Sequence, residues 1–292
     1  MAGNLITLRR RIKSVKNTRK ITQAMKTVSA AKLRRSVGEL KKNRPFLEKA
    51  GALLHKPARE IDIKEHPLFK QRETGQIVLV AISSDKGLCG AFNTHIIKKA
   101  RDQYLHYREQ GVDVSFVAVG NRISKYLKKK EFPIKNQYDA MMSKLIYADA
   151  RALSTYLQGI YDTEDIRAIE IIGTRFLSAA KQEIHHHKLF PLTGLEKIDE
   201  SPGLEEEEYI FEPSAQAIFN ALLPQYVHAL VYSFLLESSA SEHASRMVAM
   251  DMAARNAGDV IKSLTLTLNK LRQSLITKEL LEIMTATEAL NK

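Results

Sequence analysis

Three things are scarce in this sequence: cysteine, long apolar runs, and acidic residues near its start. One cysteine in 292 residues excludes an internal disulfide framework and suits a reducing compartment. No uninterrupted apolar run reaches the ~18 residues that argue for a spanning helix, so the expectation is a soluble or membrane-peripheral protein. The basic N-terminus lacks the apolar core, roughly 7–15 residues, of a secretory signal. Its pattern continues as regular helix beyond the length of a transit peptide and is read as mature structure.

Phosphate-binding motifs are missing too. There is no Gly-x-x-x-x-Gly-Lys-Ser/Thr and no Gly-x-Gly-x-x-Gly, and Cys89 has no evident histidine partner. An autonomous nucleotide-dependent enzyme therefore lacks its machinery, and the reading carries no catalytic residue, cofactor or metal. What is present is a chain 44% hydrophobic and 27% charged, enough to bury the core of one or two folded domains.

The charge is unevenly spread. Residues 1–56 hold 16 Lys and Arg against only Glu39 and Glu48, a balance of +14; the whole chain carries +12, so the remainder carries −2. The basic partner surface is thus confined to the N-terminal segment. A helix of this kind could track nucleic-acid phosphates. Its one aromatic, Phe46, and its commitment to a coiled coil argue against that, and no nucleic-acid partner is expected.

From Leu5 to about Leu54, apolar and small residues recur at three- and four-residue steps through Leu5, Leu8, Ile12, Val15, Thr18, Thr22, Met25, Ser29, Leu33, Ser36 and Leu40. This predicts one long amphipathic helix with a narrow stripe rich in Thr and Ser. At the other end, Met247, Met250, Ala254, Ala257, Ile261, Leu264, Leu268, Leu271 and Leu275 keep an unbroken seven-residue repeat, the pattern of a left-handed coiled coil. Pro224 is expected to kink or break this second helix. Past Leu275 the apolar positions move to Ile276, Leu280, Ile283 and Leu290, so the tip faces away from the original partner.

The middle has a different period. Gln76–Ser83, Val114–Gly120 and Arg167–Thr174 read as strands, with helices at 91–110, 121–130 and 143–159 between them. Such alternation predicts a parallel-type sheet covered by helices. Glu183–Phe190 and Tyr209–Glu212 are expected to add a hairpin or edge strands, with Glu205–Glu208 a solvated approach to the last strand. His185, His186 and His187 alternate faces of an edge strand and so cannot converge on one metal.

The fold class that results is α/β plus a long antiparallel coiled coil. The terminal helices pair with each other, and a Rossmann-like α/β domain is inserted between them. Its expected divisions are a helix over 1–56, an α/β domain over 75–212 and a helix over 213–292. The glycine-bearing turn Asp85-Lys-Gly-Leu-Cys-Gly90 follows a buried strand, where α/β proteins place phosphate loops, but Ala91, Phe92 and Asn93 follow Gly90 in place of the required Lys and hydroxyl. It reads instead as a close strand-to-helix turn made by Gly87 and Gly90, with Asn93 or Thr94 capping the helix.

Four stretches, in this order and spacing, carry a resemblance: Ile21-Thr-Gln-Ala-Met-Lys-Thr-Val-Ser-Ala-Ala-Lys-Leu33, Ser84-Asp-Lys-Gly-Leu-Cys-Gly90, Ser241-Glu-His-Ala-Ser-Arg-Met-Val-Ala-Met250 and Leu271-Arg-Gln-Ser-Leu-Ile-Thr-Lys-Glu-Leu-Leu-Glu-Ile283. Over nearly its whole length the chain resembles the gamma subunit of the F-type ATP synthase, in its bacterial form. The resemblance implies a non-catalytic rotor shaft, one copy per complex. Its partners would be a ring of three alpha and three beta subunits, the epsilon subunit and the c-ring, at the cytoplasmic face of the bacterial inner membrane.

By the same resemblance Lys20, Met25 and Lys26 face the acidic lever loop of beta, although Met25 fits the helix seam equally well. Arg272, Gln273 and Thr277 correspond to contacts with the beta catch loop, and Arg246 and Glu279 to positions tied to coupling. The tip from Ile283 to Leu290 would run in the apolar collar of the ring. The loop of Asp85, Lys86, Gly87 and Gly90 would lie on the rotor's foot, near epsilon or the c-ring. Ser274 and Leu275 depart from the small residues expected there, and the three histidines are not expected in this family. The regulatory insertion of the chloroplast form is missing.

Overall fold

The computed structural model describes residues 2–193 and 211–290, which fall into two compact units: 1–29 with 247–292, and 30–246. The second unit is built on a sheet. Gln76-Ile-Val-Leu-Val-Ala-Ile82 forms β1 and Val114–Val119 forms β2, with every residue but Gln76 buried. Apolar runs buried on both faces suit the centre of a parallel sheet. Ile134–Tyr138 is β3, Ile166–Phe176 is β4 and Gln182–Phe190 is β5. The strand order is β3-β2-β1-β4-β5; the first four are parallel, and β5 runs antiparallel to β4 at the edge.

Successive residues of these strands feed two different cores. Ile77, Leu79, Ala81, Phe116 and Ala118 pack with Ala100 of helix α2 (Phe92–Glu109) and with Ile123 and Leu127 of α3 (Asn121–Lys129). On the opposite face Val78, Val80, Ile82, Val117 and Ile171 pack with Leu153, Leu157 and Tyr161 of α4 (Tyr147–Thr163). The same core takes Leu54 of the N-terminal helix α1 (Ala2–Glu60) and Phe219, Leu223, Val227, Val231 and Leu235 of the C-terminal helix α5 (Ala215–Leu290).

Further along α5 the packing residues become small. Ser238, Ala240, Ser241 and Ala244 are fully buried. Ser238 Oγ accepts a hydrogen bond from the Thr174 amide at 3.1 Å, and a Cβ at Gly173 would come within 2.8 Å of that hydroxyl. Small side chains on the helix and a glycine on β4 are what let a helix lie this close to a strand.

The other unit is a pair of helix ends. The expected C-terminal repeat emerges as the least exposed line of α5 here: Met250, Ala254 and Ala257 are buried, Ile261, Leu264, Leu268, Leu271 and Leu275 half-buried, and their neighbours mostly exposed. On α1, Ile12, Thr22 and Ser29 are buried and Leu5, Leu8, Val15 and Met25 half-buried; Thr18 alone of the stripe in this unit is exposed. Lys26 pairs with Asp251 at 2.6 Å, and a Cβ on Gly258 would lie 3.6 Å from Arg19. Stepping back along one helix while stepping forward along the other defines an antiparallel pair.

The structure differs from the sequence reading in several places. β3 was not expected, because Ile-Lys-Asn-Gln-Tyr offers no apolar run; it is a half-buried edge strand. α5 is continuous through Pro224, and α1 through Pro45 and Pro57. Phe211 and Glu212 are not in a strand, and Glu205–Glu208 and the rest of Tyr209–Glu212 lie outside the described residues. One 18-residue window of α5 reaches a mean hydropathy of 1.2, enough by length and composition for a membrane span; 44% of it is buried inside the protein.

Gly120 gives a direct test of the sheet's geometry. Its φ is +93°, and a Cβ there would lie 2.2 Å from the Ser83 carbonyl oxygen, so both conformation and space demand glycine. Gly120→Ala is expected to destabilise the chain by about 2 kcal/mol or more. Urea unfolding midpoints would show this; an unchanged midpoint would contradict the described turn.

Candidate functional site

The turn after β1 is held by a network of side-chain and backbone hydrogen bonds. Ser84 begins it: its amide and its hydroxyl both donate to Asn93 Oδ1, at 3.1 and 2.9 Å, and its carbonyl accepts from the Arg122 amide at 3.1 Å. Asn93 Nδ2 in turn points to Cys89 Sγ at 3.1 Å. Asn93 is thus an internal brace for the loop. The helix α2 starts instead behind Ala91, with no side-chain cap bond.

Nor do both glycines make the turn. Gly90 takes the left-handed conformation with φ +59°, but the other left-handed residue is Leu88, at φ +62°, rather than Gly87. A non-glycine residue in that region is strained and needs its surroundings to hold it. Leu88 is also 64% exposed, so packing of its own side chain does not supply the restraint.

The restraint comes from both flanks. On one side, Asp85 Oδ1 accepts from the backbone amides of Asn121 at 3.2 Å and Ala140 at 3.1 Å, and Oδ2 accepts from Ser143 Oγ at 2.7 Å. The Asn121 amide opens α3, where unpaired N–H groups attract anions. Here that position is taken by a carboxylate of the chain itself.

On the other side stands Arg246 of α5. Its Nη2 donates to the carbonyls of Lys86 at 3.2 Å and Gly87 at 3.3 Å, and its Nε donates to Gly87 at 3.3 Å. Nη1 lies 2.6 Å from Glu242 Oε1 and 3.2 Å from His243 Nδ1. Arg246, Glu242 and His243 are all buried. Burial pushes the Glu242 carboxyl up while Arg246 pulls it back; a 2.6 Å contact to a guanidinium is that of the carboxylate. Burial, with Arg246 and Lys32 nearby, drives the His243 ring down to about 4, so its Nδ1 accepts from the arginine.

The remaining residues singled out from sequence are spread along the helices. Lys20 is exposed; Met25 is half-buried in the seam; Lys26 is held by Asp251, which also receives Arg255 at 2.6 Å. Arg272, Gln273, Thr277 and Glu279 are exposed, and Ile276, Leu280, Leu281, Ile283 and Met284 are 49–68% exposed. Leu290 is the last residue of α5. Arg9, Arg10, Arg11, Lys13, Lys16 and Lys20 make no ion pair among the described residues.

The three histidines divide between the two faces of β5, as alternation requires. His186 Nε2 meets the buried Glu170 at 2.6 Å, and Tyr107 donates to the same carboxylate at 2.8 and 2.9 Å. His185 and His187 lie against Phe234 of α5, with ring centroids 5.6 and 5.2 Å from it. No metal-binding group of His, Cys, Asp or Glu occurs among the described residues.

The sequence runs from a long helix through the sheet to a second long helix, and the turn after β1 is closed by the chain's own Asp85 and Arg246. The family model described as ATP synthase matches residues 4–290. The ATP synthase gamma chain of Pelotomaculum thermopropionicum is 36% identical over 283 residues, 97% of this chain and 98% of the relative. That of Geotalea daltonii is 38% identical over 289 residues, 99% of each.

Among solved structures, the central stalk and c-ring assembly of Tetrahymena thermophila mitochondrial ATP synthase contains a chain matching with TM-score 0.60 at 27% identity, covering 80% of this chain and 99% of that one. A chain of the Euglena gracilis mitochondrial ATP synthase shares the fold with TM-score 0.70 at 19% identity, covering 99% and 95%. The chain belongs to the ATP synthase gamma chain family, and its role is that of the central rotor shaft of an F-type ATP synthase.

The buried histidine makes the site pH-sensitive. The unfolded His243 ring titrates near 6.5 and the folded ring near 4, so the unfolded chain takes up the proton first. Its contribution to stability is full above pH 6.5 and is lost as pH falls toward 4, by on the order of 3 kcal/mol. His243→Gln should flatten this acid-side loss in urea midpoints measured between pH 7 and 4; an unaltered pH slope would contradict the assignment.

Proposed function

We propose that this chain transmits the rotation of a proton-driven c-ring to the catalytic sites of an alpha3beta3 ring, having no active site of its own. The observation that carries the reading is full-length kinship with gamma chains joined to an apolar helix tip left uncovered, Ile276 to Met284. In this reading the helix of residues 1–56 and the helix of residues 213–292 form the shaft. The domain of residues 75–212 is the foot, where epsilon and the c-ring attach near Asp85, Lys86, Gly87 and Gly90. One copy serves each complex, peripheral to the cytoplasmic face of the bacterial plasma membrane.

The contacts with the ring are proposed from the same residues. Lys20, Met25 and Lys26 meet an acidic loop of beta. Arg272, Gln273 and Thr277 meet a second loop, Arg246 and Glu279 serve coupling, and Ile283 to Leu290 run in an apolar sleeve. Physical sense supports such a surface. A shaft that must pass three equivalent partners in turn needs contacts that are many and shallow, since a deep hot spot would hold it in one orientation. Exposed ion pairs are worth about 0–1 kcal/mol each and re-form readily after a step.

Two measurements test this. The expressed chain should co-purify with alpha, beta and epsilon at one gamma to three beta; recovery as a free chain would sink the assignment of partners. Truncation after Leu275 removes a tip whose residues 276–287 are exposed in the free chain. It should therefore leave the urea midpoint within about 0.5 kcal/mol of the parent, as for surface changes, while lowering torque or assembly. ATP synthesis at the full rate in the reconstituted complex would remove the tip from the mechanism.

A further inference from the structure

We infer that Arg246 is a positioning residue, clamping the turn 85–90 to helix α5 so that loop and helix move as one piece. Arg246 is buried at 8% exposure, and three of its donor contacts go to the carbonyls of Lys86 and Gly87. A residue in that position cannot offer its guanidinium to another chain without giving up these bonds. Its contribution to coupling therefore acts through the loop.

The loop needs such a clamp. Leu88 sits in the left-handed region with an exposed side chain, and Lys86 beside it is exposed as well. The conformation that presents them is held from behind, by Arg246 on the α5 side and by Asp85 on the side of α3 and residues 140–143. Glu242, one turn earlier on α5, fixes the arginine at 2.6 Å, and the Nδ1 of the neutral His243 accepts from it. The planar guanidinium is what reaches two carbonyls and a carboxylate at once; an ammonium has no comparable fork.

Position in the chain adds to the argument. Arg246 lies in α5 at the C-terminal end of the sheet-bearing unit. The clamp thus joins the loop to α5 at the point where the helix leaves the sheet. Its role in coupling rests on the shaft reading above; the clamp itself does not.

The experiment separates the two. Amide hydrogen exchange is measured on the free full-length chain for Arg246→Ala, Arg246→Lys and the double variant Glu242→Leu with Arg246→Met. The double variant removes both charges while keeping volume, a change buried ion pairs tolerate, so it stays informative if Arg246→Ala fails to fold. Exchange at the bonded amides that flank the loop, Ser84, Phe92 and Asn121, should rise roughly ten-fold or more in the double variant, with β1 unchanged and Arg246→Lys intermediate.

In the assembled complex the double variant should lose proton pumping per ATP hydrolysed. Unchanged exchange at Ser84, Phe92 and Asn121 overturns the clamp. Raised exchange with normal pumping per ATP overturns its part in coupling. If the parent chain fails to assemble, the shaft reading falls, and the exchange result on the free chain still decides the clamp.

Discussion

The seam between the terminal helices is the constraint on which the rest of the structure depends. Helices of this length take their stability from packing, because isolated helices are marginal in water. Here the packing partner for each is the other end of the same chain. The seam residues of the helical unit are Ile12, Thr22, Ser29, Met250, Ala254 and Ala257, mostly small or hydroxyl-bearing, with half-buried aliphatics beyond. A seam of this kind brings two backbones close while burying little apolar area. It accommodates the basic face of α1 only because that face stays outside, in water or against other chains.

The sheet meets a different requirement with the same economy of residues. Its central strands are buried on both faces, so the turns at their ends are the first places where polar backbone can be satisfied locally. In a doubly wound sheet the crevice at the ends of strands flanking the reversal of order is where ligands settle. In this sheet β1 has β2 on one side and β4 on the other, and the turn after β1 occupies that place. Asp85 fills the anion position at the start of α3, and Arg246 fills the donor position over the loop's carbonyls. The crevice has become a joint between elements.

Much of this was legible in the sequence, and the parts that were not have physical reasons. A repeat of three and four over nine positions from Met247 to Leu275 survives in the structure as a line of reduced exposure, because helix geometry ties spacing to face. The buried strands β1, β2 and β4 announce themselves by apolar runs; β3 does not, since a half-buried edge strand needs few apolar residues. The turn was misjudged in detail: the strained residue is Leu88, and Asn93 braces where a cap was expected. Propensities describe what a residue does most often, and this loop is held by tertiary bonds that override them.

The role of Arg246 was the least legible of all. An arginine four residues after a glutamate on a helix reads as an exposed pair. Here the pair is buried because Ser238, Ser241 and Ala244 let α5 approach the sheet. Seam and clamp then divide two incompatible tasks. Exposed Lys and Arg such as those on α1 can make only shallow contacts, because ion pairs in water are weak and re-form readily. The join between the loop and α5 admits one geometry, because buried charges that are unfavourable when separated enforce it.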